Sequence, residues 1–218
     1  MKETFRQTKV FLILQGVFLL VAVPLVLTTD KANLHLWFNQ WHLPLFDLFY
    51  KYITHLAEGP FIGLMVFIGL VIKFRHGVAG LIGIVGAGML TQLFKRMVFN
   101  DHFRPAKVFE GLSNLHFVDG VLLHKMHSFP SGHSTAAFAL FFFLAFLSPY
   151  RWLKVLCFCL ALLTAFSRVY LSQHFFEDIV AGSVIGTTVC FVVLALLQNK
   201  KWGDIGIMTW LETKLKKS

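Results

Sequence analysis

Six stretches of this chain are too apolar, and too regularly spaced, to fold as the core of a water-soluble domain. They are residues 10–27, 60–74, 78–94, 133–147, 153–171 and 176–197. A bilayer's hydrocarbon core is about 30 Å thick, and a helix crosses it with about 20 apolar residues. Backbone polar groups in that medium must be satisfied within the segment, which selects helices for runs of this kind. The rest of the composition agrees: 56% of residues are hydrophobic and 14% are charged, where soluble domains carry about 25% charged residues. The expectation is an all-α fold, a polytopic membrane helix bundle of six transmembrane helices forming one domain over residues 1–218. The second and fourth stretches are short and draw on flanking residues. The first follows Lys2, Arg6 and Lys9 as a signal peptide would, but no small-residue cleavage site follows cleanly, so it reads as a retained helix.

Lysine and arginine set the orientation. With the N-terminus inside, twelve of the 20 fall on the cytoplasmic side: Lys2, Arg6, Lys9, Lys73, Arg75, Arg151, Lys154, Lys200, Lys201, Lys214, Lys216 and Lys217. The formal charge of +9 is then topology plus affinity for anionic membrane lipids. No basic stretch interleaved with stacking aromatics points to nucleic acid. Cys157, Cys159 and Cys190 lie in predicted helices without disulfide or metal spacing and read as buried free thiols. Residues 33–56, with Trp37, Trp41, Tyr50 and Tyr52, suit an interfacial segment in the outer headgroup plane. Gly77, Gly80, Gly83 and Gly86 recur in the third span and read as close helix packing, in a context that excludes a nucleotide fingerprint.

The chemistry concentrates in two polar breaks. Residues 95–130, on the outer side, hold Lys95, Arg104-Pro105, Asp101, Asp119 and four histidines (His102, His116, His124 and His127), and lead into SFPSGHSTAAFA at 128–139. Pro130 restricts Phe129 to extended backbone. Ser131 is a good N-cap, Gly132 admits close approach of a ligand, and His133 enters the first helical turn. The free N–H groups and positive dipole end of such a helix make an anion site. In SRVYLSQHFFED, 167–178, His174 and Asp178 are four apart at the start of the sixth span and share a face if helical. The carboxylate can then fix one imidazole nitrogen and leave the other as a nucleophile. Arg168 closes the fifth span at the same depth. Three cations, two histidines, a helix start and one orienting carboxylate describe a phosphate site. The bland alternative, a structural ion pair of Arg168 with Glu177 or Asp178, leaves the second histidine and the capped helix at that depth unexplained. Glu177 is given no role. The four histidines of the outer stretch lack ligand spacing, so no metal is assigned.

These residues resemble the type 2 phosphatidic acid phosphatase superfamily, integral membrane phosphatases with six helices. The family signature is a lysine followed by Arg-Pro, then Pro-Ser-Gly-His, then Ser-Arg, five residues, His, three residues, Asp. It stands here as Arg104-Pro105, Pro130-Ser131-Gly132-His133, and Ser167-Arg168 with His174 and Asp178. In the first part Lys95 precedes Arg104 by eight intervening residues, where the family usually has six; Arg96 is the fallback. The signature occupies residues 95–178, and the resemblance covers about residues 60–197.

The resemblance implies that His174 attacks phosphorus to form a phosphohistidine, that Asp178 orients it, and that His133 serves the leaving oxygen and then the attacking water. Lys95, Arg104, Arg168, Ser131 and Gly132 hold the phosphate oxygens, with no cofactor. The expected activity is hydrolysis of a phosphomonoester or pyrophosphate on a lipid: phosphatidic acid, phosphatidylglycerol phosphate, an isoprenoid pyrophosphate or lipid A. The alternative is a lipid-headgroup phosphotransferase using the same histidine. A lipid or ion carrier fits less well, because the cluster lies at one depth and lines no path. The related vanadate haloperoxidases are soluble. Chain size and basic inner loops suggest a bacterial inner membrane, with the site facing the periplasm or exterior.

Overall fold

The structure is a computed structural model and describes residues 1–111 and 115–197. It is all-helical, with 77% of residues in helices and no strand among the described residues. Lys200, Lys201, Lys214, Lys216 and Lys217, counted above on the cytoplasmic side, lie outside the described residues.

Each predicted span coincides with a helix. The long helices are α1 (Lys2–Thr28), α5 (Phe74–Met97), α8 (Arg151–Tyr170) and α9 (Phe176–Leu197), and these four are long and apolar enough to cross a membrane. Two short helices follow α1: α2 (Lys31–Asn39), capped by Asp30, and α3 (Pro44–Ile53). A 3₁₀ turn, Thr54–Ala57, then leads into α4 (Gly59–Ile72), and α3 with its turn meets α4 at a bend of 50°. Counted as one span, that bent pair raises the number to five. A one-turn α6 (Pro105–Val108) and α7 (Gly132–Leu147), a 16-residue apolar helix, complete the set. The chain is therefore an integral membrane protein by its helices. The trans-membrane count of six and the interfacial placement of 33–56 belong to the reading proposed below.

The core is built around α7. Phe138, Leu140, Phe142 and Phe143 are fully buried, as are Ala137 and Ala139 on neighbouring faces. A helix apolar all round belongs at the centre of its bundle, and α7 is flanked by α1, α5, α8 and α9. Phe11 of α1 meets Phe142 and Phe158 edge-on at 5.3 Å, the favoured aromatic geometry. The small residues act as predicted. A side chain at Gly80 would strike the Phe143 ring, and one at Gly83 would crowd Cys190. Cys190 is buried, Cys157 is half-buried and Cys159 is exposed. The expectation of three buried thiols fails at Cys159 because residues two apart face opposite sides of a helix, and only one side of α8 meets the bundle.

The tightest approach is between α7 and α9. A Cβ at Gly186 would lie 2.3 Å from the Thr135 carbonyl oxygen, and one at Gly182 would lie 2.8 Å from that of Ser131. These two glycines set the distance between the helices whose N-termini carry the site. Gly186→Ala must push α9 off backbone atoms that have nowhere to go. It is expected to cost about 1–3 kcal/mol, the usual range for overpacking, seen as a lowered thermal midpoint in detergent. Gly88→Ala, where no atom stands within 4 Å, should leave the midpoint unchanged.

Candidate active site

The C-terminal ends of α5 and α8 meet the N-terminal ends of α4, α7 and α9 at one end of the bundle. There Leu171–Phe175 turns the chain tightly from α8 into α9. The N–H groups of Gln173 and His174 both donate to the Arg168 carbonyl, at 2.9 and 3.0 Å. Ser172 adopts positive φ, 53°, to make the turn, and its hydroxyl meets His35 Nε2 at 3.2 Å. Arg168 and His174 are thereby fixed to each other through backbone.

His174 lies before α9 and not within its first turn, as helical i,i+4 spacing implied. Its contact with Asp178 forms by another route. Asp178 is the third residue of α9 and reaches back to accept the Phe175 N–H at 2.9 Å, the reciprocal half of a capping box. The same oxygen, Oδ2, faces His174 Nδ1 at 3.0 Å and accepts the Ser128 hydroxyl at 2.5 Å. Both side chains are almost fully enclosed. Burial, followed by the charges of Arg104, Lys95 and Arg168, pushes the His174 imidazole well below its ordinary range. The ring is thus neutral, with Nδ1 held at Asp178 Oδ2.

Ser131 caps α7 as predicted. Its hydroxyl accepts from the Ser134 N–H at 3.3 Å and the Ser134 hydroxyl at 2.9 Å, and its own N–H donates to the Asp178 carbonyl at 3.1 Å. Around Gly132 the nearest atom to an added Cβ is the Gln92 amide at 4.0 Å, which leaves room beside its N–H. The Phe129–Pro130 peptide bond is cis. His133 follows, with Nε2 3.9 Å from Glu58 Oε1. Gly132 and His133 also line a groove of about 750 Å³ whose other wall is a mostly apolar face of α5 from Val85 to Met97.

The three cations share a feature: among the described residues none is tied by a carboxylate. Arg168 is buried, donates from Nη1 to the Thr54 hydroxyl at 2.8 Å, and leaves Nε without a partner among the described residues. Arg104 spends its donors on neutral oxygens, the Met126 carbonyl at 2.9 Å and the carbonyl and side-chain oxygens of Gln173 at 3.3 and 3.2 Å. Lys95 is 93% buried and makes no hydrogen bond or ion pair among the described residues. Lys95, Arg104 and Arg168 feel one another's charge, as does His174. Their field extends outward to His124, whose imidazole is held below its ordinary value by partial burial and then by Arg104, Arg168 and Lys95. The alternative of a structural ion pair fails on geometry: Arg168 bonds Thr54, and Glu177 pairs instead with Lys31 at 3.1 Å.

The chain thus brings together His133, His174, Asp178, Lys95, Arg104, Ser131, Gly132 and Arg168. Arg96, the fallback for Lys95, is exposed and lines the groove beside His133. Two of the four histidines of the outer stretch are occupied elsewhere. His116 pairs with Asp47 at 3.0 Å and stacks on His42 at 4.1 Å, and His102 packs against Phe99 and Phe129. No group of three His, Cys, Asp or Glu side chains with metal-site geometry occurs among the described residues. Sequence reasoning missed Thr54, Glu58, Ser128 and Gln173. Ser128 and Gln173 adjoin the two motifs and could have been nominated. Thr54 and Glu58 come from the α3–α4 bend, where no local pattern signals an approach to Arg168.

The chain is similar in sequence and in fold to known proteins. A curated lipid A 4'-phosphatase from Bacteroides thetaiotaomicron is 28% identical over 168 residues, covering 73% of each chain. The fold is shared with the crystal structure of Aquifex aeolicus LpxE (TM-score 0.67, 22% identity, 78% of this chain and 98% of that one). It is also shared with a transmembrane PAP2-type phosphatidylglycerolphosphate phosphatase from Bacillus subtilis (TM-score 0.62, 23% identity, 93% of this chain and all of that one). The family model of the PAP2 superfamily matches residues 76–202, more than half of the sequence and all of the described site except Thr54 and Glu58, and the chain belongs to that superfamily.

Proposed function

We propose that this protein is a lipid phosphate phosphatase of six membrane crossings that hydrolyses a phosphomonoester or pyrophosphate through a phosphohistidine. The observation that carries the proposal is the juxtaposition of a buried, carboxylate-anchored imidazole with three cations that no carboxylate bonds among the described residues. The nucleophile is His174 Nε2. As its bond to phosphorus forms, the ring becomes cationic, and Asp178 offsets that charge across the 3.0 Å bond. The ester or anhydride P–O bond breaks, and His133 gives a proton to the departing oxygen. His133 then takes a proton from water, which attacks the phosphohistidine and releases phosphate and free His174. Histidine is the side chain most often used for such proton transfers.

Lys95, Arg104 and Arg168, with Ser131 and the Gly132 N–H, hold the equatorial oxygens. Phosphoryl transfer needs little beyond such positioning and charge stabilisation. The groove along α5 reaches His133 and is mostly apolar, with Gln92 and Arg96 on its wall, which favours a leaving group that is a lipid. The names of the relatives, a lipid A 4'-phosphatase and a phosphatidylglycerolphosphate phosphatase, fall within that class. The site faces the periplasm or exterior of a bacterial inner membrane, following the lysine and arginine bias, with residues 33–56 in the outer headgroup plane.

His174→Ala should abolish inorganic phosphate release from a panel of lipid phosphates and pyrophosphates, a loss of roughly 10³-fold or more for removal of a nucleophile. The thermal midpoint in detergent should hold, since Asp178 keeps two donors. Activity should survive EDTA, because side-chain cations carry the charge that a metal would carry. Orthovanadate should inhibit competitively by occupying the same cations, and Arg168→Ala should raise its inhibition constant.

A further inference from the structure

Asp178 Oδ2 accepts three hydrogen bonds while Oδ1 is buried with no partner among the described residues. Two of the donors are local to Asp178: His174 Nδ1 and the Phe175 N–H. The third, the Ser128 hydroxyl, arrives from 50 residues away and makes the shortest of the three contacts, 2.5 Å. Ser128 is 1% exposed, and its own N–H donates to the His102 carbonyl at 2.8 Å. Three residues later the Ser131 N–H donates to the Asp178 carbonyl at 3.1 Å. The segment before α7 thus grips one residue twice, by side chain and by backbone.

We propose that Ser128 is a positioning residue for phosphoryl transfer, acting through Asp178 on His174; this rests on the phosphohistidine reading above. A carboxylate bonded only on one oxygen is free to rotate about its last torsion, and each donor on Oδ2 narrows that freedom. The Phe175 N–H and His174 ring belong to the same tight turn and move together with α9. Ser128 alone ties that oxygen to the segment that leads to Ser131, Gly132 and His133. It therefore fixes the nucleophile half of the site against the half that serves the leaving group. It also supplies hydrogen-bond energy to the anion when the His174 ring turns cationic, at the moment when the pair must stay ionised. Ser128 makes no hydrogen bond to Lys95, Arg104 or Arg168 among the described residues, so its effect falls on the chemical step and not on substrate capture.

The test compares Ser128→Ala and Ser128→Thr with the unmodified chain, using dioctanoyl phosphatidic acid in detergent. Ser128→Ala should lower kcat about 10- to 100-fold, the worth of one hydrogen bond to a charged group, with KM little changed. Ser128→Thr, which keeps the donor, should restore most of kcat. The His174 Nδ1–H proton resonance, assigned by its loss in His174→Ala, should be displaced in the alanine variant and nearly restored in the threonine variant. That signal reads positioning even if the unmodified chain releases no phosphate from any lipid, an outcome that would sink the phosphatase reading and not the Ser128 contact. If alanine unfolds the protein, Ser128→Cys, close in shape and a poor donor, replaces it with the same expectation. Unchanged kcat in a folded Ala or Cys variant, a loss falling on KM, or an unmoved His174 resonance would overturn the assignment.

Discussion

A single carboxylate oxygen organises this end of the molecule. Burying an ionised carboxyl costs several kcal/mol unless donors replace the water it gives up, and Asp178 has no exposure at all. Three donors on Oδ2 offset part of that cost, and they come from two places: the turn between α8 and α9 and the segment before α7. Each donor is therefore held in place by the anion it stabilises. The helix cap of α9, the tautomer of His174 and the register of α7 against α9 are consequences of one contact.

That contact exists only because α7 and α9 come close enough for backbone to meet backbone. Gly182 and Gly186 stand against the Ser131 and Thr135 carbonyls at distances where no Cβ fits. The approach brings the Ser131 N–H onto the Asp178 carbonyl. Phe143, enclosed between Gly69 and Gly80, fills the other side of α7. Bilayer lipid gives no hydrophobic advantage to one helix meeting another, so packing of small against large must supply the cohesion. The site's geometry is the terminal expression of that packing.

The parts of this protein legible in its sequence are those fixed by local pattern. Apolar runs located every long helix, Ser131 announced the start of α7, and the spacing of Arg168, His174 and Asp178 brought them together. Where the sequence misled, a tertiary contact decided. His174 precedes α9 and still meets Asp178, because Asp178 reaches back over the helix start, where it also binds the Phe175 N–H. Thr54 and Glu58 could not be found from the α3–α4 bend alone, since their importance lies in Arg168 and His133, more than 70 residues on. Lys95, with its longer spacing to Arg104, still reaches the cluster. It sits on the last turns of α5, and the irregular stretch after α5 absorbs the extra residues.

The partners chosen for the cations explain how an apolar bundle can tolerate them and still use them. A buried Arg168 bonded to a carboxylate would be quiet and stable; bonded to Thr54 it keeps its charge. Arg104 is held by carbonyl and amide oxygens, which fix its direction without neutralising it. Lys95 has only the more distant Asp178 to balance it. Mutual repulsion among the three raises the energy of the protein alone, and an anion with three equatorial oxygens relieves it. In the proposed mechanism, relief is greatest where those three oxygens lie in one plane during transfer, so the interaction is worth more in the transition state than in the bound substrate. On the proposed reading, the same arrangement that makes this cluster costly to fold makes it selective for phosphorus in flight.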